Sequence, residues 1–197
     1  MIGKINSIID EIRKLEDELE ELIIKHQQSF LYKVKGTKIE FDAAVLAQQQ
    51  AFKMSLTQWL KASRIQSIIS IPFIYGMIIP IALMHLTIEI YQAICFPLYN
   101  IPKAKRSDYF IADRQQLTYL NIIEKFNCAY CSYGNAVIAY SREIIGRTEL
   151  YWCPIKHARK ILGTHKYYQQ FLSFGEFEDY HDKTAKLRVH LSELNKQ

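Results

Sequence analysis

Between Arg64 and Glu89 the chain carries 24 residues without a formal charge, IQSIISIPFIYGMIIPIALMHLTI, and after Glu89 another 13 uncharged residues reach Lys103. Roughly 20 apolar residues at about 1.5 Å per residue cover a hydrocarbon core of about 30 Å, so this run is long enough for a bilayer. Membrane contact is the expectation it sets. A buried core helix of a large soluble assembly is the competing reading, and Pro72, Gly76 and Pro80 do not exclude it.

The sequence leaves topology open, because cations flank both ends: Lys61 and Arg64 before the run, Lys103, Lys105 and Arg106 after it. The positive-inside rule is satisfied twice. A hairpin that enters and leaves by one face fits, with Pro80 breaking the helix near the middle of residues 66 to 101. A single span is the alternative. His85 and Glu89, four apart, share a helical face, and an ionisable pair at membrane depth is costly unless paired or functional. The blander reading leaves Glu89 at the interface without a special role.

On the N-terminal side, Ile5, Ile8, Ile12, Leu15, Leu19 and Leu22 recur in alternating steps of 3 and 4, the a/d spacing of a coiled-coil seam. Such a seam needs a partner helix. The second chain of a self-associated pair is one candidate. The segment from Asp42 to Arg64 is the other, with Val45, Gln49, Phe52, Leu56, Trp59 and Leu60 as its stripe, Asp42 as its cap and KVKGTK as the turn. The expectation is an intramolecular helical hairpin over residues 1–64.

Three of four cysteines fall in NCAYCSYGNAVIAYSREIIGRTELYWCPIKH, from Asn127 to His157. Cys128 and Cys131 form C-x2-C; Cys153 and His157 form C-x3-H. Thiolate and imidazole are the ligands that Zn(II) and iron–sulfur clusters favour, and two short pairs separated by a loop is the layout of a four-ligand site. Each pair shares a helical face. The pairs meet only if the chain reverses between them, since one straight helix over residues 131 to 153 would hold them about 33 Å apart. Gly146 is the expected reversal, with residues 147 to 152 returning in extended form. Pro154 suggests that Cys153 opens a helix, where the dipole favours thiolate. A structural zinc site leads, an iron–sulfur centre is the alternative, and a Cys128–Cys131 redox pair or small core cysteines beside Tyr130, Tyr133, Tyr151 and Trp152 remain open. Glu124, Glu143, Glu149, Arg142 and Arg147 are candidates for supporting the ligands, for instance by holding the other nitrogen of His157. Helix-face ion pairing, as between Glu143 and Arg147, is the simpler use of those charges.

Residues 113 to 126, with Leu117, Leu120, Ile123 and Phe126 on one stripe, are expected to form a helix leading to Cys128. Residues 166–197 carry scattered aromatics and an amphipathic stretch over 184 to 194. The net charge of +5, from 25 basic and 20 acidic residues, comes without a basic run interleaved with aromatics, so nucleic acid is not an expected partner. Sparse cysteine argues against a secreted disulfide framework, and the charged N-terminus against a secretory signal.

The blocks YQAICFPLYNIPKAKRSDYF and NCAYCSYGNAVIAYSREIIGRTELYWCPIKHARK resemble those of a group of uncharacterised bacterial membrane proteins without an assigned activity. The resemblance covers roughly residues 65 to 160; it implies membrane association and a bacterial source, and assigns no catalytic residue. The expected protein is therefore all-α. Its parts are a helical hairpin or coiled coil (1–64), proline-broken membrane-embedded helices (65–102), a cytoplasmic Cys/His module organised by metal (103–165), and an amphipathic tail (166–197). Its expected role is a membrane scaffold held by zinc, contacting lipid and recruiting a protein partner or a second copy through residues 5–22, with catalysis less favoured. The alternatives are an iron–sulfur redox carrier or assembly factor and a metal-dependent enzyme acting near His85 and Glu89.

Overall fold

The computed structural model describes residues 2–28 and 32–193, with side chains except those of residues 2–6, 9, 13, 27 and 28. The chain is mostly helical and divides into two compact units, Met1–Ala62 with Asp113–Phe126, and Ser63–Ala112 with Asn127–Gln197.

The first unit begins with α1, Ile2–Gln28. Ile8, Ile12, Leu15, Leu19 and Leu22 are 47 to 58% exposed, so the heptad seam lies open on its helix; the side chain of Ile5 falls outside the described residues. The expected helical turn is instead a β-hairpin, β1 (Tyr32–Lys35) paired antiparallel with β2 (Lys38–Phe41), Tyr32 opposite Phe41 and Val34 opposite Ile39. Aromatic and β-branched residues favour strands, and Gly36 takes the positive φ of 61° at the turn. Gln116 ties the hairpin down: its Oε1 accepts from Ile39 N at 2.7 Å and its Nε2 donates to Thr37 O at 2.8 Å.

Residues 42 to 64 do not form one helix. Asp42 caps α2 (Ala43–Ala51) by accepting from Ala44 N, and the chain then breaks. Ser55 and Gln58 start α3 (Leu56–Ala62) through a reciprocal capping box. Two caps within fourteen residues divide the expected stripe, and Phe52 is left exposed. The expected α1 hairpin with a single second helix is thus replaced by an open α1, a β-hairpin and two short helices.

In the second unit the apolar run forms α4 (Ile65–Gly76) and α5 (Ile78–Leu98). Met77 joins them in αR geometry, φ −63° and ψ −15°, so the chain goes on in helical conformation instead of doubling back. Together they make one stretch of 34 residues, long and apolar enough to cross a membrane. Pro80 does not break it. It occupies the first turn of α5, where its missing N–H lacks an intrahelical partner in any case. Asn100 ends α5 at φ 53°, and Ile101 N returns to Phe96 O at 2.9 Å, a Schellman closure that brings Ile101 onto Phe96 in the core.

The long helix α6 (Ile122–Trp152) has 31 residues. Asn121 caps it, its Oδ1 accepting from Ile123 N and Glu124 N while Glu124 Oε2 accepts from Asn121 N. Helix therefore begins later than the expected residue 113, and Glu124 serves the cap. From Asn127 onward α6 lies beside α4 and α5 and runs in their direction: Tyr75 meets Asn127, His85 meets Tyr133, Gln92 meets Tyr140 and Tyr99 meets Trp152. Its other sides pack on residues 165 to 171 and on α7 (Tyr180–Glu193), around Tyr140, Ile144, Leu150, Tyr167, Phe171 and Leu191.

Gly146 does not reverse the chain. It sits inside α6, and a Cβ there would lie 3.0 Å from the His165 ring and 3.2 Å from that of Tyr167. This glycine makes room for neighbours; it does not cap. Residues 147 to 152 are helical, and Cys153 N still donates to Glu149 O at 2.8 Å.

Candidate functional site

Helical spacing puts His85, Glu89 and Gln92 on one side of α5, and that side faces α6 and the connecting loop. Both His85 and Gln92 are buried. Gln92 is fully used: Nε2 donates to Tyr140 Oη at 2.6 Å and Oε1 accepts from Ala104 N at 2.7 Å. His85 Nδ1 lies 3.0 Å from Tyr133 Oη, and its ring stacks on Phe110 at 4.9 Å, whose ring in turn carries the Arg106 guanidinium at 4.9 Å. His85 Nε2 is 3.5 Å from Glu89 Oε1, within Coulomb range but without a hydrogen bond. Burial and the nearby Glu89 carboxylate push the Tyr140 hydroxyl up. His85 and Glu89 thus lie side by side on α5, with Gln92, Tyr133, Tyr140, Arg106 and Phe110 around them.

The opposite side of α5 is apolar apart from Thr87, whose hydroxyl donates to Met84 O at 3.0 Å. Ile79, Leu83, Leu86, Ile90, Ile94 and Leu98 are all exposed, and no charged residue interrupts them. Where α5 ends, exposed Tyr99 packs against Tyr151 and Trp152, with ring centroids at 5.5 and 5.0 Å. Arg188 covers Tyr151 and donates to its carbonyl at 2.9 Å.

A second polar network follows further along α6. Glu143 Oε1 accepts from Arg147 Nε at 2.9 Å and Nη2 at 2.7 Å, and also from the Tyr167 hydroxyl; Lys166 Nζ is at 3.0 Å. Arg147 Nη1 donates to Pro102 O at 2.6 Å, fixing the loop after α5. Burial alone would push the Glu143 carboxyl up, but hydrogen bonds from Tyr167, Arg147 and Lys166 outweigh it and hold it below the usual carboxylate range. Burial and Glu143 raise the Tyr109 hydroxyl to about 12, and raise that of Tyr167 as well. Glu149 pairs with His165 at 2.8 Å, and Arg142 donates to Gly163 O and Thr164 O. These five candidates, Glu124, Glu143, Glu149, Arg142 and Arg147, therefore cap α6 or fasten loops to it.

The structure does not bring Cys128, Cys131, Cys153 and His157 together. An uninterrupted α6 separates Cys131 from Cys153 by 22 residues, about 33 Å along the axis. Among the described residues no group of three or more His, Cys, Asp or Glu side chains converges as a metal centre would require. The donor set does not fit a shared zinc ion or iron–sulfur cluster. Cys153 also lies at the C-terminal end of α6, contrary to the expected helix start. His157 is exposed, its backbone N–H bonded to Tyr168 Oη at 2.7 Å.

Gln92 was legible, lying three residues after Glu89 and seven after His85. Tyr167, Lys166 and His165 were not: they reach α6 from a loop with no periodic pattern. Compared with family models, curated proteins and solved structures, the chain matches none. The resemblance of residues 65 to 160 rests on the quoted blocks alone.

Proposed function

We propose that this protein is a membrane-associated scaffold, seated on lipid through α4 and α5 and recruiting another protein through α1. The observation that carries the reading is the division of α5 into two faces, apolar residues exposed on one and His85, Gln92 and Phe96 buried on the other. A soluble surface seldom leaves such a patch uncovered. Tyr99 and Trp152 at its end are amphipathic rings of the kind that collect at the headgroup level.

The open seam of α1 supports the recruiting role, and its flanks indicate the partner. Glu11, Glu16 and Glu18 border the apolar stripe at g and e positions. A parallel self-pair would set Glu11 against Glu16 of the second copy; the antiparallel register pairing Ile12 with Leu15 would set Glu11 near Glu18. A helix of another protein with Lys or Arg at those positions avoids both conflicts. Zinc and iron–sulfur roles have no converged ligand set to support them.

Flotation of the full chain with phospholipid vesicles, alone and with Leu86→Lys/Ile90→Lys, tests the membrane part. Co-flotation lost in the double variant is the expected result; wild type left in the dense fraction would remove the reading.

A further inference from the structure

Resting on the membrane reading, we infer that α4 and α5 lie along one face of the bilayer and do not cross it, with both cationic ends in the same aqueous compartment. The direction of α6 fixes the depth of its charges. Because α6 runs beside α4 and α5 in parallel, from Tyr75 with Asn127 to Tyr99 with Trp152, any segment that crosses carries the adjoining part of α6 to the same depth. A crossing by residues 79 to 98 would bury the level of Arg142, Glu143, Arg147 and Glu149, together with Lys166 beyond them. Arg142 is exposed on α6, and Lys166 is 63% exposed. A crossing by residues 65 to 84 would put Tyr75 at mid-bilayer, and with it Asn127 and, less than one turn earlier on α6, Glu124 and Lys125. Charges at that depth cost at least about 2.5 to 3.5 kcal/mol each on insertion scales.

Lying in the interface removes both conflicts. The exposed stripe from Ile79 to Leu98 enters the acyl boundary, while α6, its ion pairs and the 165–171 segment stand on the water side. The charges at the two ends then also agree. Arg64 before α4 and Lys103, Lys105 and Arg106 after α5 meet the same leaflet, each worth about 1 kcal/mol on an anionic surface. The expected single span would have forced one of these clusters to the far side. The expected re-entrant hairpin placed them correctly, but helical backbone through Met77 excludes the reversal it requires.

The test uses the full chain, reconstituted during vesicle formation in sealed vesicles of phosphatidylcholine and phosphatidylglycerol. Native cysteines are changed to Ser and one reporter is placed at Arg64→Cys or Lys103→Cys. A membrane-impermeant maleimide is added before and after lysis, and flotation is scored on the same sample. The same fraction of both reporters, within error, should react before lysis, in this lipid and in preparations with the opposite orientation bias. Reciprocal labelling, in which protection of position 64 accompanies exposure of position 103, would overturn the inference. Failure to float would remove the membrane reading itself and is scored separately.

Discussion

Removing the charge of Glu143 is the perturbation with the largest calculable consequence. The side chains of Glu143 and Arg147 are 8% and 14% exposed, and the carboxylate receives two hydrogen bonds from Arg147 besides that from Tyr167. Glu143→Gln removes the charge that balances the buried Arg147 guanidinium, which keeps its hydrogen bond to Pro102 O. Breaking one side of a buried pair costs about 3 to 5 kcal/mol. At about 2 to 4 °C per kcal/mol for a chain of this size, the midpoint should fall by roughly 6 to 20 °C. Lys166→Ala serves as the control: Lys166 is 63% exposed, and its contact is worth about 0 to 1 kcal/mol. Removing both charges, Glu143→Leu/Arg147→Met, should cost less than Glu143→Gln, because no unpaired ion stays inside. Thermal unfolding in mild detergent, followed by circular dichroism, reads all three. The sign with pH follows from the lowered Glu143 value: its stabilisation is complete above the ordinary carboxylate value of 4.5 and is lost as pH falls through the lower folded value. Wild type should therefore lose its advantage over Glu143→Gln below about pH 4.5. A Glu143→Gln midpoint within the error of Lys166→Ala would refute the buried network.

In alkali, Tyr109 should keep its proton to about 12, whereas an unfolded tyrosine loses it near 10.0. Its contribution to stability is thus intact below 10 and falls as pH rises toward 12, and ultraviolet difference titration of wild type against Tyr109→Phe should show the late phenol; one that ionises near 10 contradicts the burial. With Cys95 and Cys128 changed to Ser, spin labels on the exposed Cys131 and Cys153 should report backbone positions about 33 Å apart by dipolar spectroscopy. A separation below about 10 Å would restore the shared metal site, given that Zn–S bonds are about 2.3 Å.

What could be read in advance was local. The gap in charge from residue 65 to 88 announced an apolar helix, and i, i+4 spacing placed His85 beside Glu89. Punctuation misled where one residue type has two uses. Pro80 can break a helix or fill its first turn, and Gly146 can end a helix or clear space for a ring; the choice lies in neighbours far along the chain. Pro154 suggests a helix start, yet α6 runs up to it, since no proline interrupts residues 122 to 152. The KVKGTK segment suits a turn between helices, but its strand-forming flanks and the bonds from Gln116 make it a hairpin. Once α6 is unbroken, four residues with metal-ligand chemistry stand at two distant places.

Seating on lipid requires α5 to have one face in the acyl region and the other against α6. A nitroxide scan in vesicles, one residue at a time over residues 79 to 98, measures this through collision with oxygen and with a water-soluble nickel complex. Oxygen contact should peak at 79, 83, 86, 90 and 94 and reach minima at 85 and 92, with a period of about 3.6 residues. High nickel contact along the apolar stripe, or equal oxygen contact on every side of α5, would contradict it.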